Sequence, residues 1–418
     1  MSDNNNKNTN IKQTKFPSWI KPELFEDLLK SLQTDFSEIE HFSVDNALAP
    51  GENYATVMLK VEILMKLKDA STKPITFMLK IAHESEVFEE LMKNHDVFAI
   101  EAGMYRNFVP EFEQIYADAG IKVRFGAKSY KLPIQQNYIL LENLKEQGFK
   151  NTNRLDGLDM EHTKSVLKKL AQWHAASAVR VTQKGAYPRE YCTAYIKPEG
   201  YDLIKAMFDG STKTLLECVK EYNNSELYYE KVVKLQNQIT DEIFKHVDAD
   251  PNEFNVLNHG DCWSNNIMFK YDDQGNVAET YLIDFQMPRY ATPAQDLMYF
   301  LLSSTKLEIK LKEFDYFIKF YHDNLVESLK VLNYSKAIPS LKEMHQMILK
   351  YGIFGYMTTT NVMAAVLCDP TDNASLDNFI NDSEEGVNFK KQMYSNPRYR
   401  KHMEAIFPWL LYKGLLDC

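Results

Sequence analysis

The hydrophobic period changes partway along the chain, and that change limits the folds open to it. Between Phe42 and Ile81 apolar residues alternate: Ala55, Val57, Leu59, Val61 and Ile63, then, after a polar turn over Lys66–Lys73, Ile75, Phe77, Leu79 and Ile81. A period of two places one face of a strand pair in a core. Tyr138-Ile139-Leu140-Leu141 closes this β-rich part, with a helical stretch over 85–116 inside it that Pro110 is expected to break. Beyond Asn151 the period becomes that of a helix, as in Val166, Leu167, Leu170, Trp173 and Ala176 behind Asp159 and Glu161. Two further helices are expected over Tyr201–Val247, and helices again from Ala294 to the end. Only Asn255–Phe269 and Thr280–Phe285 interrupt with short strands, joined by the turn Asp272-Asp273-Gln274-Gly275-Asn276.

The reading is therefore an α+β chain in three stretches. Residues 1–40 form a polar lead and a short helix with Trp19, Leu24, Leu28 and Leu32 on one stripe. Residues 41–144 form a small β-rich lobe, and 145–418 a larger, mainly helical lobe carrying one hairpin. With 418 residues and 44% hydrophobic content, enough apolar area is present to offset chain ordering. A net charge of −10 argues against a nucleic-acid or anionic-membrane binder, whose footprint should be basic. No apolar run reaches the roughly 18 residues of a membrane span. Met1–Lys15 lacks the apolar centre of a secretory signal, and the five cysteines show no metal-binding or disulfide spacing. A reduced, cytoplasmic protein with no obligate protein partner is expected.

The chemistry concentrates in His259-Gly260-Asp261-Cys262-Trp263-Ser264-Asn265-Asn266, followed by Tyr281-Leu282-Ile283-Asp284-Phe285-Gln286. Each part alone is common, and an Asp ending an apolar strand is ordinarily a turn-former. Together they are more telling: Asp284 follows Asp261 by 23 residues, the length of a strand, a turn and a second strand, so both polar ends meet at one mouth of a hairpin. Two carboxylates and an amide are the oxygen donors that Mg²⁺ takes beside nucleotide phosphates. Asp261 would then face an acceptor hydroxyl, while Asn266 and Asp284 would hold the metal. Cys262, with no base beside it, is read as structural.

These segments, in this order, resemble the kinase-like phosphotransferases of small molecules, and within them the ecdysteroid kinase-like family. The resemblance runs from about Leu48 to about Leu329. It also rests on Gly51-Glu52-Asn53-Tyr54-Ala55-Thr56-Val57-Met58, Phe77-Met78-Leu79-Lys80, Glu101-Ala102-Gly103-Met104-Tyr105, Tyr138 to Leu144, Leu170-Ala171-Gln172-Trp173-His174-Ala175 and Pro293-Ala294-Gln295-Asp296-Leu297. It implies a two-lobed protein-kinase-like fold with a helical insert, using ATP and Mg²⁺.

By that resemblance Lys80 contacts the nucleotide phosphates and pairs with a helix glutamate, for which Glu101 is chosen over Glu84, Glu86, Glu89 and Glu90. A lysine among Phe77, Leu79 and Ile81 would in any case need an anionic partner. Gly51, Tyr54, Ala55 and Thr56 would cover the phosphates with one glycine where protein kinases use three. Glu142 C=O and Leu144 N–H would meet the adenine edge. His259 is assigned to the catalytic loop, more as its orienting residue than as a proton carrier. Asp296 would brace that loop, although a helix cap explains it equally well.

The Asp-Phe-Gln triplet and the absence of an Ala-Pro-Glu ending argue against a phosphorylation-switched loop. Tyr201, Phe208, Tyr228, Tyr229, Phe354 and Tyr356 are candidates to line an acceptor pocket, though most such aromatics are core. The implied acceptor is a small-molecule hydroxyl, that of an ecdysteroid-type steroid alcohol. The alternatives are a choline or ethanolamine kinase, and a catalytically silent binder with the same fold.

Overall fold

The structure is a computed structural model that describes residues 16–47, 56–82, 96–194, 196–371 and 376–417. Gly51, Tyr54 and Ala55, and the competing Glu84, Glu86, Glu89 and Glu90, lie outside them. Five strands form one antiparallel sheet: β1 (Phe36–Asn46), β2 (Thr56–Leu67), β3 (Thr72–Ala82), β4 (Ser129–Tyr130) and β5 (Tyr138–Glu142), in the spatial order β1-β2-β3-β5-β4. Thr56 opens β2 opposite Ala82.

Leu59, Val61, Ile63 and Met65 of β2 and Phe77, Leu79 and Ile81 of β3 all turn to one face. Phe25, at the end of the Pro22–Phe25 turn, and Leu29 of the Glu26–Leu32 helix that continues it cover that face. Phe25 and Leu29 are fully buried there, and Trp19, Leu24 and Leu28 of the expected stripe pack partly buried on the same core, while Leu32 is exposed. The segment before β1 thereby belongs to the sheet's own core.

The period of two also corrects the environment of Lys80. It lies on the face opposite Phe77, Leu79 and Ile81, alongside Met78, and so points at the other lobe. Against that second face lies the Val97–Gly103 helix. Pro110 does not break the structure here. The chain passes through a π-helical turn, Met104–Phe108, and resumes as the Val109–Asp118 helix with the proline in its first turn. A π turn would send the carbonyl of Tyr105 to the nitrogen of Pro110, which has no proton. The Ser129 hydroxyl donates to that carbonyl instead, at 3.0 Å.

The rest of the molecule is helical. The long Met160–Lys184 helix, capped by Asp159, runs through its centre. The Tyr201–Lys220 and Tyr229–Phe244 helices form the insert, and those from Ala294 to Tyr412 complete the packing. Phe208, Tyr228, Phe354 and Tyr356 are all buried in this core. Two small antiparallel pairs interrupt the helices: β6 (Val256–Asn258) with β9 (Arg289–Ala291), and β7 (Ile267–Tyr271) with β8 (Val277–Leu282). Ile267 opposes Leu282, so Asn266 and Ile283-Asp284 emerge together from one end of the hairpin, facing the sheet. No helix among the described residues is long and apolar enough to cross a membrane.

Candidate active site

Lys80 stands at the junction of the two lobes. Its Nζ donates to Glu101 Oε2 at 2.6 Å and to Asp284 Oδ1 at 2.7 Å. Lys80 and Glu101 are almost wholly buried. Burial pulls the lysine pKa down, but the two carboxylates outweigh it and hold the ammonium above its usual range. Glu101 is pushed up to about 7, chiefly by burial, with Lys80 pulling down and Asp284 pushing up. Glu101 reaches the lysine because Ile100, Glu101, Met104, Tyr105 and Phe108 share the inward face of their helix.

Asp284 is held in an uncommon conformation, with φ +66°. Its backbone N–H donates to the Tyr105 hydroxyl at 3.2 Å, and Gln286 Nε2 donates to its Oδ2 at 3.3 Å. Phe285 anchors the turn. Tyr105 meets its ring edge-on at 5.2 Å, Trp173 stacks on it at 5.0 Å, and His259 lies 4.9 Å away.

The loop from His259 to Asn266 is fixed by Asp296. The fully buried carboxylate accepts from the backbone N–H of His259 at 2.7 Å and of Gly260 at 2.9 Å, and from His174 Nε2 at 3.1 Å. Burial alone would raise its pKa; the hydrogen bonds from His174 and from the Gly260 N–H outweigh it and hold Asp296 below its usual value. Its partners lie on the loop and on the long helix, not on the first turn of its own helix, so a simple cap does not account for it.

The tautomer of His259 follows from its neighbours. Asp261 N–H donates to Nδ1 at 3.3 Å, so Nε2 carries the proton and donates to the Ile283 carbonyl at 3.0 Å. Burial lowers its pKa further and keeps the ring neutral. His259 ties the loop to the Asp284 turn and has no nitrogen left for proton transfer.

Gly260, at φ +80°, lets the chain turn; a Cβ there would sit 1.8 Å from the Met287 carbonyl oxygen. Asp261 follows. Its Oδ2 accepts from Asn266 Nδ2 at 2.9 Å and its Oδ1 from the Tyr299 hydroxyl at 2.5 Å. Burial, followed by repulsion from Asp284, pushes its carboxyl up to about 7 despite these donors. Cys262 is buried with its thiol raised by the same burial, which suits an inert side chain.

The donor set fits a hard divalent cation. Asn266 spends Nδ2 on the Asp261 carbonyl and carboxylate, which leaves Oδ1 as its outward ligand atom. Asp284 adds carboxylate oxygens, and Asp261 and Glu101 bring further negative charge against the one ammonium of Lys80. Among the described residues no three His, Cys, Asp or Glu side chains converge as a metal cage, so waters and phosphate oxygens would have to complete an octahedron.

At the end of β5, the Glu142 carboxylate accepts from Arg124, from the Lys128 backbone N–H and from Gln147. Leu144 is buried and starts a short helical turn, its carbonyl already taken by the Phe149 N–H. Neither side chain is offered to a ligand there.

Four contributors escaped the sequence reading. Tyr105 and Tyr299 touch the two key carboxylate residues. Gln286 steadies Asp284. Asn151 donates to the carbonyls of Asn265 and Ile267, on either side of Asn266. Tyr299 lies three residues beyond Asp296 on one helix, a spacing that could have revealed it.

A β-sheet lobe whose lysine–glutamate pair faces an aspartate turn and a His-Gly-Asp loop in a helical lobe is a kinase-like two-lobed fold. A model of the ecdysteroid kinase-like family matches residues 50–334, over half of the chain, and the chain belongs to that family of kinase-like small-molecule phosphotransferases. No curated protein matches it.

Proposed function

We propose that the protein transfers the γ-phosphoryl group of ATP to a hydroxyl of a small acceptor, an ecdysteroid-type steroid alcohol. The observation that carries this reading is the convergence of Lys80, Glu101 and Asp284 with Asp261 and Asn266 at the lobe junction. Lys80 binds the phosphates, held in place by Glu101. Gly51, Tyr54, Ala55 and Thr56 contact them, and the backbone of Glu142 and Leu144 receives the adenine. Asn266 and Asp284 hold Mg²⁺, which when bound neutralises charge on the β- and γ-phosphates.

Asp261 accepts a hydrogen bond from the acceptor hydroxyl. As the acceptor oxygen bonds to the γ-phosphorus and the bond to the β-phosphate oxygen breaks, the hydroxyl proton passes to the carboxylate and then to water, leaving phosphorylated acceptor and ADP. Asp296, His259 and Gly260 keep the loop in place. The acceptor class follows from the family name and is tested directly by supplying ecdysone, choline and ethanolamine with labelled ATP.

Asp261→Asn should retain the Mg²⁺-dependent thermal shift by ATP and lose turnover by about a hundredfold or more. Asp284→Ala should lose the Mg²⁺-dependent shift itself. Full transfer by both variants would rule the mechanism out, and phosphate appearing only on choline would replace the acceptor.

A further inference from the structure

The helix Ala294–Ser304 touches the catalytic loop on successive turns. Asp296 holds the backbone of His259 and Gly260, Tyr299 donates to the Asp261 side chain, and the Ser304 hydroxyl accepts from the Ser264 backbone N–H at 3.0 Å. The helix is fixed from behind, since His174, which donates to Asp296, is itself bonded to Tyr321 at 2.7 Å. Two of these contacts locate the loop backbone. Only the tyrosine reaches the reactive group.

We propose that Tyr299 is a positioning residue that sets the rotamer of Asp261. A carboxylate held by a single donor can swing about its Cα–Cβ and Cβ–Cγ bonds. Asp261 has a donor on each oxygen, Asn266 on Oδ2 and Tyr299 on Oδ1, and two donors from opposite sides leave one orientation. Asn266 is assigned to the metal, and Gln286, which also hydrogen-bonds Asp261, gives its amide to Asp284 as well, so the constraint on Asp261 that comes from a helix fixed elsewhere is that of Tyr299. The phenol sits on a rigid helix, which suits a group whose misplacement by an ångström would be costly. This inference rests on the phosphotransfer reading, with Asp261 as the group that meets the acceptor.

Tyr299→Phe removes one oxygen and keeps the ring, so packing is retained. Phosphate release from MgATP, with water or ecdysone as acceptor, should show kcat lowered about tenfold or more, while the KM for ATP and the ATP-induced thermal shift stay unchanged. Adding Tyr299→Phe to Asp261→Asn should slow the enzyme no further, because on this assignment the hydroxyl acts on turnover through that carboxylate.

An unchanged kcat, an equal loss in the Asp261→Asn background, or a rise confined to the acceptor KM would overturn the assignment. If the phenylalanine variant fails to fold, fluorotyrosine at 299 gives a second reading: kcat shifted at constant ATP KM supports the role, and constant kcat overturns it. A wild-type protein that moves phosphate to no acceptor would remove the phosphotransfer reading and this inference together. An active wild type with an inactive Asp261→Asn and a fully active Tyr299→Phe would remove this inference alone.

Discussion

Lys80 and Asp284, 204 residues apart in sequence, are joined by a 2.7 Å ion pair that links the β-sheet lobe to the helical lobe. With Glu101 on its other side, Lys80 is, among the described residues, the only positive partner that these two carboxylates share. Lys80→Met keeps much of the side-chain shape and leaves Glu101 and Asp284 facing each other. A stability loss of about 3 kcal/mol is expected at about pH 9. Glu101, already pushed up to about 7 with the lysine pulling it down, rises further once the lysine is gone. The penalty should therefore shrink from about pH 9 toward neutral pH, where Glu101 takes up a proton and the repulsion is relieved. Urea unfolding at both pH values decides it; an equal deficit at the two would refute the account.

Gly260→Ala tests the catalytic turn. The new methyl group would meet the Met287 carbonyl oxygen at 1.8 Å, in a backbone conformation that alanine disfavours. We expect destabilisation of more than about 1 kcal/mol and a fall in phosphate transfer, because Asp261 moves with the turn. Wild-type melting and turnover together would show that the turn adapts.

Lys310 gives a pH test remote from the site. Its fully buried Nζ donates to the Leu302 carbonyl and lies 3.2 Å from His402 Nδ1. Burial lowers its pKa from 10.5 to about 7. Between those values the unfolded chain binds more protons than the folded one, so stability should rise with pH from about 7 toward 10.5. Lys310→Met should be more stable than the wild type at neutral pH and should lose that slope. Denaturant midpoints across the window measure both, and a wild-type midpoint that falls as pH rises would contradict the sign.

Much of this was legible in the sequence, for physical reasons. A period of two and a period of 3.6 separate the sheet from the helices, and the spacing from Asp261 to Asp284 makes a hairpin that unites their ends. Pairing Glu101 with Lys80 was legible through helical spacing. The face of Lys80 was not, although alternation from Phe77 could have fixed it: a buried lysine reads as part of the nearest apolar run until the opposing helix is known. The role of Asp296 was ambiguous because a carboxylate in a first helical turn suits a cap as well as a brace. Tyr299, Tyr105 and Asn151 act across 38, 179 and 114 residues of sequence; the spacing from Asp296 offered a hint for Tyr299, and nothing local marks the other two for such a contact.

The left-handed backbone at Asp284 bears on what this position can become. Of the residues that enter that region readily, glycine offers no ligand and asparagine no charge, whereas glutamate has the charge but not the conformational tolerance. Backbone and chemistry thus select the same side chain independently. In a saturation scan, position 284 should have the narrowest repertoire in the lobe junction, narrower than Lys80, whose strand conformation is open to many residues.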